Sequence, residues 1–94
     1  MDATAFEAEL KDQGFETVER KEGAPGFSTQ PHAHPFDVRG LILSGEFILT
    51  TDGTPRSYRI GDTFALEAGC MHAERFGPEG STYIVGRKHR AASG

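Results

Sequence analysis

The sequence has little that would cross-link it, anchor it in a membrane or attract it to nucleic acid. Its single cysteine, Cys70, permits no internal disulfide, which is typical of a reducing compartment, and we expect a cytoplasmic protein. The N-terminus is unlike a signal peptide, and no apolar run approaches the roughly 20 residues that cross a bilayer, so no membrane partner is expected. Ten Lys and Arg against 14 Asp and Glu give a net charge of −4. Because clustered cations occur only at residues 87–90, we expect no nucleic-acid partner.

What the chain does contain is sufficient for one folded domain. Its 94 residues have room for a single core, and 7 Phe and 2 Tyr supply large side chains to bury. Twelve Gly and five Pro favour many tight turns. We predict one domain over residues 1–94, with a helix over 3–14, a barrel over 15–90 and a disordered tail over 91–94.

Local signals predict the secondary structure. Thr4 and Glu7 have the spacing of a capping box. Phe6 and Leu10 lie one turn apart, and Gly14 ends the helical pattern. Beyond it, short runs rich in β-branched and aromatic residues alternate with glycine-containing turns, a pattern that indicates an antiparallel sandwich or barrel. The predicted strands cover residues 15–22, 27–34, 37–43, 46–51, 56–60, 63–66, 72–76 and 82–88.

One predicted strand is apolar on both of its faces. Leu41, Ile42 and Leu43 follow one another, so both faces need cover, either from a second sheet or from a partner subunit. A domain of this size without disulfides also has a thin core. Together these features predict a homodimer.

Three of the four histidines have a spacing that suits a metal ion. His32 and His34 are two residues apart in a predicted strand, so their imidazoles point to one face. His72 follows a glycine turn, from which its strand can reach the same pocket. Imidazole is a ligand for transition metals, but hydrogen-bonded histidines without a metal are also common in strands.

A second signal comes from the glycines that frame these histidines. The segments HAHPFDVRGLILSGE at residues 32–46 and GDTFALEAGCMH at residues 61–72 resemble the two signature motifs of the cupin superfamily. The resemblance covers roughly residues 26–76. It implies a mainly β, antiparallel jelly-roll barrel that is often a homodimer, with one divalent transition metal ion (Fe, Ni, Zn, Cu or Mn) held by His32, His34 and His72.

The sequence departs from the family's motifs at the fourth ligand. The family's glutamate aligns with Val38, so the anionic ligand is missing. Asp37 and Glu74 are candidates to replace it. Asp37 is one residue out of phase and would need a bulge, whereas Glu74 shares strand parity with His72. Three neutral imidazoles alone would leave the ion's charge uncompensated, which would attract an anion.

These features favour the first of three functions, each for a chain that has a small-molecule ligand as its expected partner. The first is an enzyme of the dioxygenase type or of another metal-dependent type, such as an isomerase or a lyase. Its substrate would be a small molecule, and an anion is one option. The second is a non-catalytic module that binds a small ligand or sugar, and the third is a dimerisation unit. Tyr83 and Arg87 are the polar candidates for substrate contacts.

Overall fold

The computed structural model describes residues 1–89, which form one helix and a curled antiparallel sheet. The sheet places β5 between β1 and β2, and β2 also pairs with β3 and β4. The elements in chain order are α1 (Ala3–Asp12), β1 (Thr17–Gly23), β2 (Phe36–Thr51), β3 (Thr54–Arg59), β4 (Thr63–Leu66) and β5 (His72–His89). The prediction of a mainly β jelly roll with one short helix is confirmed, although the strands of this part of the chain do not close into a ring. The predicted tail at 91–94 and the last barrel residue, 90, lie outside the described residues.

Two long strands, β2 and β5, determine the shape of the molecule. With 16 and 18 residues, they would each exceed about 50 Å if straight, whereas the longest dimension of the protein is 43 Å. Both strands therefore bend. Their mutual register shifts between Ile42 and Ser44 and again between Gly45 and Phe47. These irregularities fold the sheet so that its two halves face each other.

The continuity of these strands corrects several predicted boundaries. Residues 37–43 and 46–51 belong to the one strand β2, and residues 72–76 and 82–88 both belong to β5. The glycines between them do not end the strands but permit the bend. Gly45 has a φ of +71°, and a Cβ at this position would collide with the carbonyl oxygen of Gly80 on the paired strand.

The strand predicted over residues 27–34 is wrong as a continuous strand, although this segment runs beside β5. Two isolated antiparallel bridges connect it to β5, and one of them joins His32 to His72. The two backbone hydrogen bonds of that bridge measure 2.8 and 2.9 Å. A regular ladder is interrupted because Pro31 has no N–H to donate. The bridge nevertheless fixes this segment next to the start of β5.

The main core fills the space between the two halves of the sheet. The ring of Phe47 lies 4.8 Å from that of Phe64 and 5.0 Å from that of Tyr83, on the opposite half. The structure places these side chains in the interior, between the two halves of the sheet. The core members are Val38, Ile42, Phe47, Leu49, Phe64, Leu66, Phe76 and Val85.

A second, smaller core lies beneath α1 on the outer face of the sheet. Phe6 and Leu10 are fully buried there with Leu41 and Ile84, so the helix packs on the sheet. Leu41 is thus covered by the helix, whereas Ile42 points into the main core. The apolar segment 41–43 therefore obtains cover on both faces within one chain, so it no longer argues for a partner subunit.

The helix begins and ends differently from the prediction. Asp2 is the N-cap, and its Oδ1 accepts a 2.8 Å hydrogen bond from the backbone N–H three residues later. The capping box predicted at Thr4 and Glu7 is therefore wrong. The carboxylate of Asp2 also complements the positive end of the helix dipole. The helix ends at Asp12 instead of residue 14, and no helix within residues 1–89 has the length and apolar character needed to span a bilayer.

Candidate metal centre

His32, His34 and His72 meet beside the main core. One ring nitrogen from each lies within 4.8 Å of the other two, and the ring centroids are 4.4, 4.9 and 5.1 Å apart. The structure thus brings together the three histidines that were singled out by their spacing. The backbone bridge between His32 and His72 explains why residues so distant in sequence come together.

Backbone carbonyl groups determine which nitrogen is available in two of the rings. Nδ1 of His32 lies 2.8 Å from the carbonyl oxygen of Gln30, and Nδ1 of His72 lies 3.0 Å from that of Cys70. Because a carbonyl oxygen only accepts, each Nδ1 carries the proton and each Nε2 keeps its lone pair. Both rings are therefore held in the tautomer that coordinates a metal through Nε2.

His72 gives the clearest indication that these rings bind a ligand. The residue is 3% exposed, and its Nε2 is the only buried side-chain polar atom without a hydrogen-bond partner within residues 1–89. Such an atom costs about 1–3 kcal/mol if it stays unsatisfied. Metal coordination would use the lone pair, so the residues present fit a metal ion bound by imidazole nitrogens.

The surroundings of His34 keep its imidazole neutral. Burial lowers the pKa of His34 below its usual value, and the charges of His72, His32, Arg87 and Lys21 act in the same direction. A protonated imidazole cannot coordinate a metal, whereas a neutral one can. At neutral pH this environment therefore favours the form of His34 that is able to bind an ion.

The two acidic candidates for a fourth ligand lie in different places. Asp37 Oδ1 accepts a 2.8 Å hydrogen bond from the N–H of Ala68, and its side chain lines a groove beside Gln13 on the outer face. Glu74 lines the same cavity as the histidines, but its carboxylate is outside the group of mutually close ligand atoms. The structure therefore brings neither carboxylate into the histidine cluster, although Glu74 lies nearby.

The histidines open into a cavity of about 220 Å³. Its apolar wall consists of Phe36, Val38, Leu66 and Val85, and its other polar side chains are Lys21, Glu74, Tyr83 and Arg87. Tyr83 and Arg87 were predicted as candidate substrate contacts, and both reach this cavity. Lys21 was not predicted, because only the pairing of β1 with β5, which sets it opposite Tyr83, brings it there.

Comparisons with known proteins identify the fold. No protein-family model matches the chain, and no curated protein matches it by sequence. Among solved structures, a Rhizobium leguminosarum protein of unknown function matches with a TM-score of 0.74 and 20% identity, over 96% of this chain and 97% of its own. An RmlC-like cupin from Shewanella frigidimarina matches with a TM-score of 0.70 and 21% identity, over 81% of this chain and 68% of its own. The chain has the cupin fold.

An enzyme is also among the structures similar to this chain. Oxalate oxidase, solved in complex with glycolate, matches with a TM-score of 0.66 and 27% identity. The match covers 77% of the present chain but only 41% of the oxidase. The present chain therefore corresponds to less than half of that enzyme.

Proposed function

We propose that this cupin is a metal-dependent enzyme that acts on a small molecule bound in the histidine cavity. The unpartnered, buried Nε2 of His72, within a cluster of three histidines, is the observation that carries the proposal. His32, His34 and His72 would hold one divalent transition metal ion (Fe, Ni, Zn, Cu or Mn), because imidazole suits these ions better than Mg²⁺ or Ca²⁺. When bound, such an ion supplies Lewis acidity and, if it is redox-active, reactivity toward oxygen.

The chain's own residues hold and orient the reacting groups. The carbonyls of Gln30 and Cys70 fix the ring orientation of two ligands and increase their basicity. Burial raises the pKa of Tyr83, and the charge of Glu74 raises it further, while Arg87 opposes this effect. The phenol therefore stays protonated at neutral pH and can donate a hydrogen bond to a bound molecule.

The similarity to oxalate oxidase supports an enzymatic role, with a dioxygenase or another metal-dependent reaction as the class. A non-catalytic cupin that binds a small ligand or sugar is the second candidate function. It is favoured by Val38, an apolar residue that lines the cavity at the position where the cupin motif has its glutamate. Product formation from small carboxylates by the metal-loaded protein, as opposed to binding alone, distinguishes the two functions.

Elemental analysis of protein purified without an affinity metal tests the metal site. We expect about one equivalent of a transition metal in the wild type, and a sharp loss in His32→Ala, His34→Ala and His72→Ala. His89→Ala is the matched control, because His89 is exposed and its Nδ1 lies 3.1 Å from Glu16. Metal content that is unchanged in all three variants would contradict the proposal.

A further inference from the structure

Two cationic side chains and one phenol enter the histidine cavity from neighbouring strands. Lys21 on β1 lies opposite Tyr83 on β5, and Arg87 follows four residues later on the same face of β5. All three side chains line the cavity, where Glu74 is the only acidic residue among the described residues. With neutral histidines and no metal ion, the two positive charges and one negative charge of these residues give a net charge of +1.

Arg87 has no anionic partner within residues 1–89. Its guanidinium carbon lies 5.1 Å from the centroid of the Phe36 ring, and none of the ion pairs in this part of the chain includes it. Lys21 contacts Glu19 only at 3.8 Å, and both of these side chains are more than one-third exposed, so this pair contributes little. Both cations are therefore available to an anion that enters the cavity.

These cations lie close to the histidine cluster. The ring of His34 stacks on the same Phe36 ring, with the centroids 4.8 Å apart. The distance from the guanidinium carbon of Arg87 to the centroid of the His34 ring is therefore at most the sum of these two distances. Lys21 and Arg87 line the same cavity as the three histidines, so an anion bound by these cations lies next to the histidine cluster.

The size and chemistry of the cavity define the anion. About 220 Å³ corresponds to the volume of about seven water molecules, which suits a small ligand. A planar carboxylate matches the two parallel donors of a guanidinium, and its negative charge complements the positive charge of the cavity. A phosphate dianion would need more donors, and Glu74 would repel it more strongly than a monoanion, while the other remaining lining residues are apolar.

We infer that Lys21, Tyr83 and Arg87 form a carboxylate-binding subsite beside the three histidines, and that the ligand of this cupin is a small organic carboxylate. The inference rests on the proposed function only for the contribution of the metal to binding. The three side chains of the subsite are positioned by the pairing of β1 with β5, which needs no metal.

Glycolate and its neutral analogue glycolamide are the probes that test this subsite. Both are titrated by calorimetry into the full chain, in the Zn²⁺-loaded and the metal-free form. We expect the Zn²⁺-loaded wild type to bind glycolate at least tenfold more tightly than glycolamide. Arg87→Gln and Lys21→Gln should each weaken glycolate binding about ten- to a hundredfold, the range for one charge-assisted hydrogen bond, while Zn²⁺ content stays the same.

Two further variants separate the subsite from general effects. Arg56→Gln removes an exposed arginine of β3 with the same change in net charge, and it should leave glycolate binding unchanged. Arg87→Lys retains the positive charge and should keep the preference for glycolate over glycolamide. A different result would overturn the inference: both Arg87→Lys and Arg87→Gln lose the preference for glycolate, while Lys21→Gln keeps it. The effect would then come from the packing of Arg87 on Phe36.

The remaining outcomes distinguish this inference from the proposed function. Equal binding of glycolate and glycolamide by the metal-loaded wild type would overturn the inference and leave the metal site intact. If the wild type takes up no transition metal, the proposed function fails and the metal-free protein decides the inference. If the metal-free wild type binds glycolate and Arg87→Gln abolishes this binding, the subsite is supported. If the metal-free wild type does not bind glycolate, the inference is overturned.

Discussion

Replacing Val38 with glutamate tests the proposed metal site. Val38 is 7% exposed and lines the cavity together with the histidines. Without a metal, the change removes a buried apolar side chain and adds a buried carboxylate, while Arg87, its neighbour on β5, offsets part of the cost. We expect the metal-free variant to be less stable than the wild type by about 2 kcal/mol, which corresponds to a Tm lower by about 8–16 °C.

Metal binding should change in the opposite direction. Even at the dielectric constant of bulk water, a unit negative charge about 4 Å from a divalent ion gains about 2 kcal/mol, which lowers Kd about 30-fold. Competition with a chromophoric chelator measures the Kd for Zn²⁺, and Val38→Gln supplies the same side-chain length without the charge. If Val38→Glu and Val38→Gln had the same Kd for Zn²⁺, the prediction that residue 38 lies beside the proposed metal site would be refuted.

Three further predictions concern the cavity, the helix and the assembly. Glu74→Gln removes the only acidic side chain of the cavity, so calorimetry should show tighter glycolate binding; a fall in Zn²⁺ content would instead make Glu74 a metal ligand. Leu10→Ala, beneath the helix, should lower the free energy of unfolding in urea by about 2–5 kcal/mol with Zn²⁺ content unchanged, and a loss below about 1 kcal/mol would contradict this packing. Because the core is small and the outer edge of β1 is unpaired within residues 1–89, light scattering should give the mass of a homodimer. A monomer mass at micromolar concentration would contradict this prediction.

The site was predictable to the extent that local patterns encode it. Alternation places His32 and His34 on one face, and the glycine frame located His72. The strand boundaries near Gly45 were wrong because a glycine in a turn and a glycine in a bulge have the same local signature. The long-range pairing of β2 with β5 decides between them. Lys21 was missed for a similar reason, since it reaches the cavity only through the long-range pairing of β1 with β5.

Other errors came from signals that were present in the sequence. Pro31 argues against a regular strand over residues 27–34, and Asp2 is a stronger N-cap than Thr4. The homodimer stays a prediction, but the argument for it from residues 41–43 did not include the helix as a source of cover. In each case one local pattern was interpreted without the neighbouring element that competes with it.

The bridge between His32 and His72 has a consequence for folding and for metal uptake. The two residues come together only after β5 has been synthesised and paired, so a nascent chain that ends before His72 lacks the complete ligand set. An ion that joins them closes a loop of about 40 residues, and the chain-entropy treatment of such cross-links gives a stabilisation of about 4 kcal/mol. In a chain with a single cysteine, the metal would act as a removable cross-link in place of a disulfide.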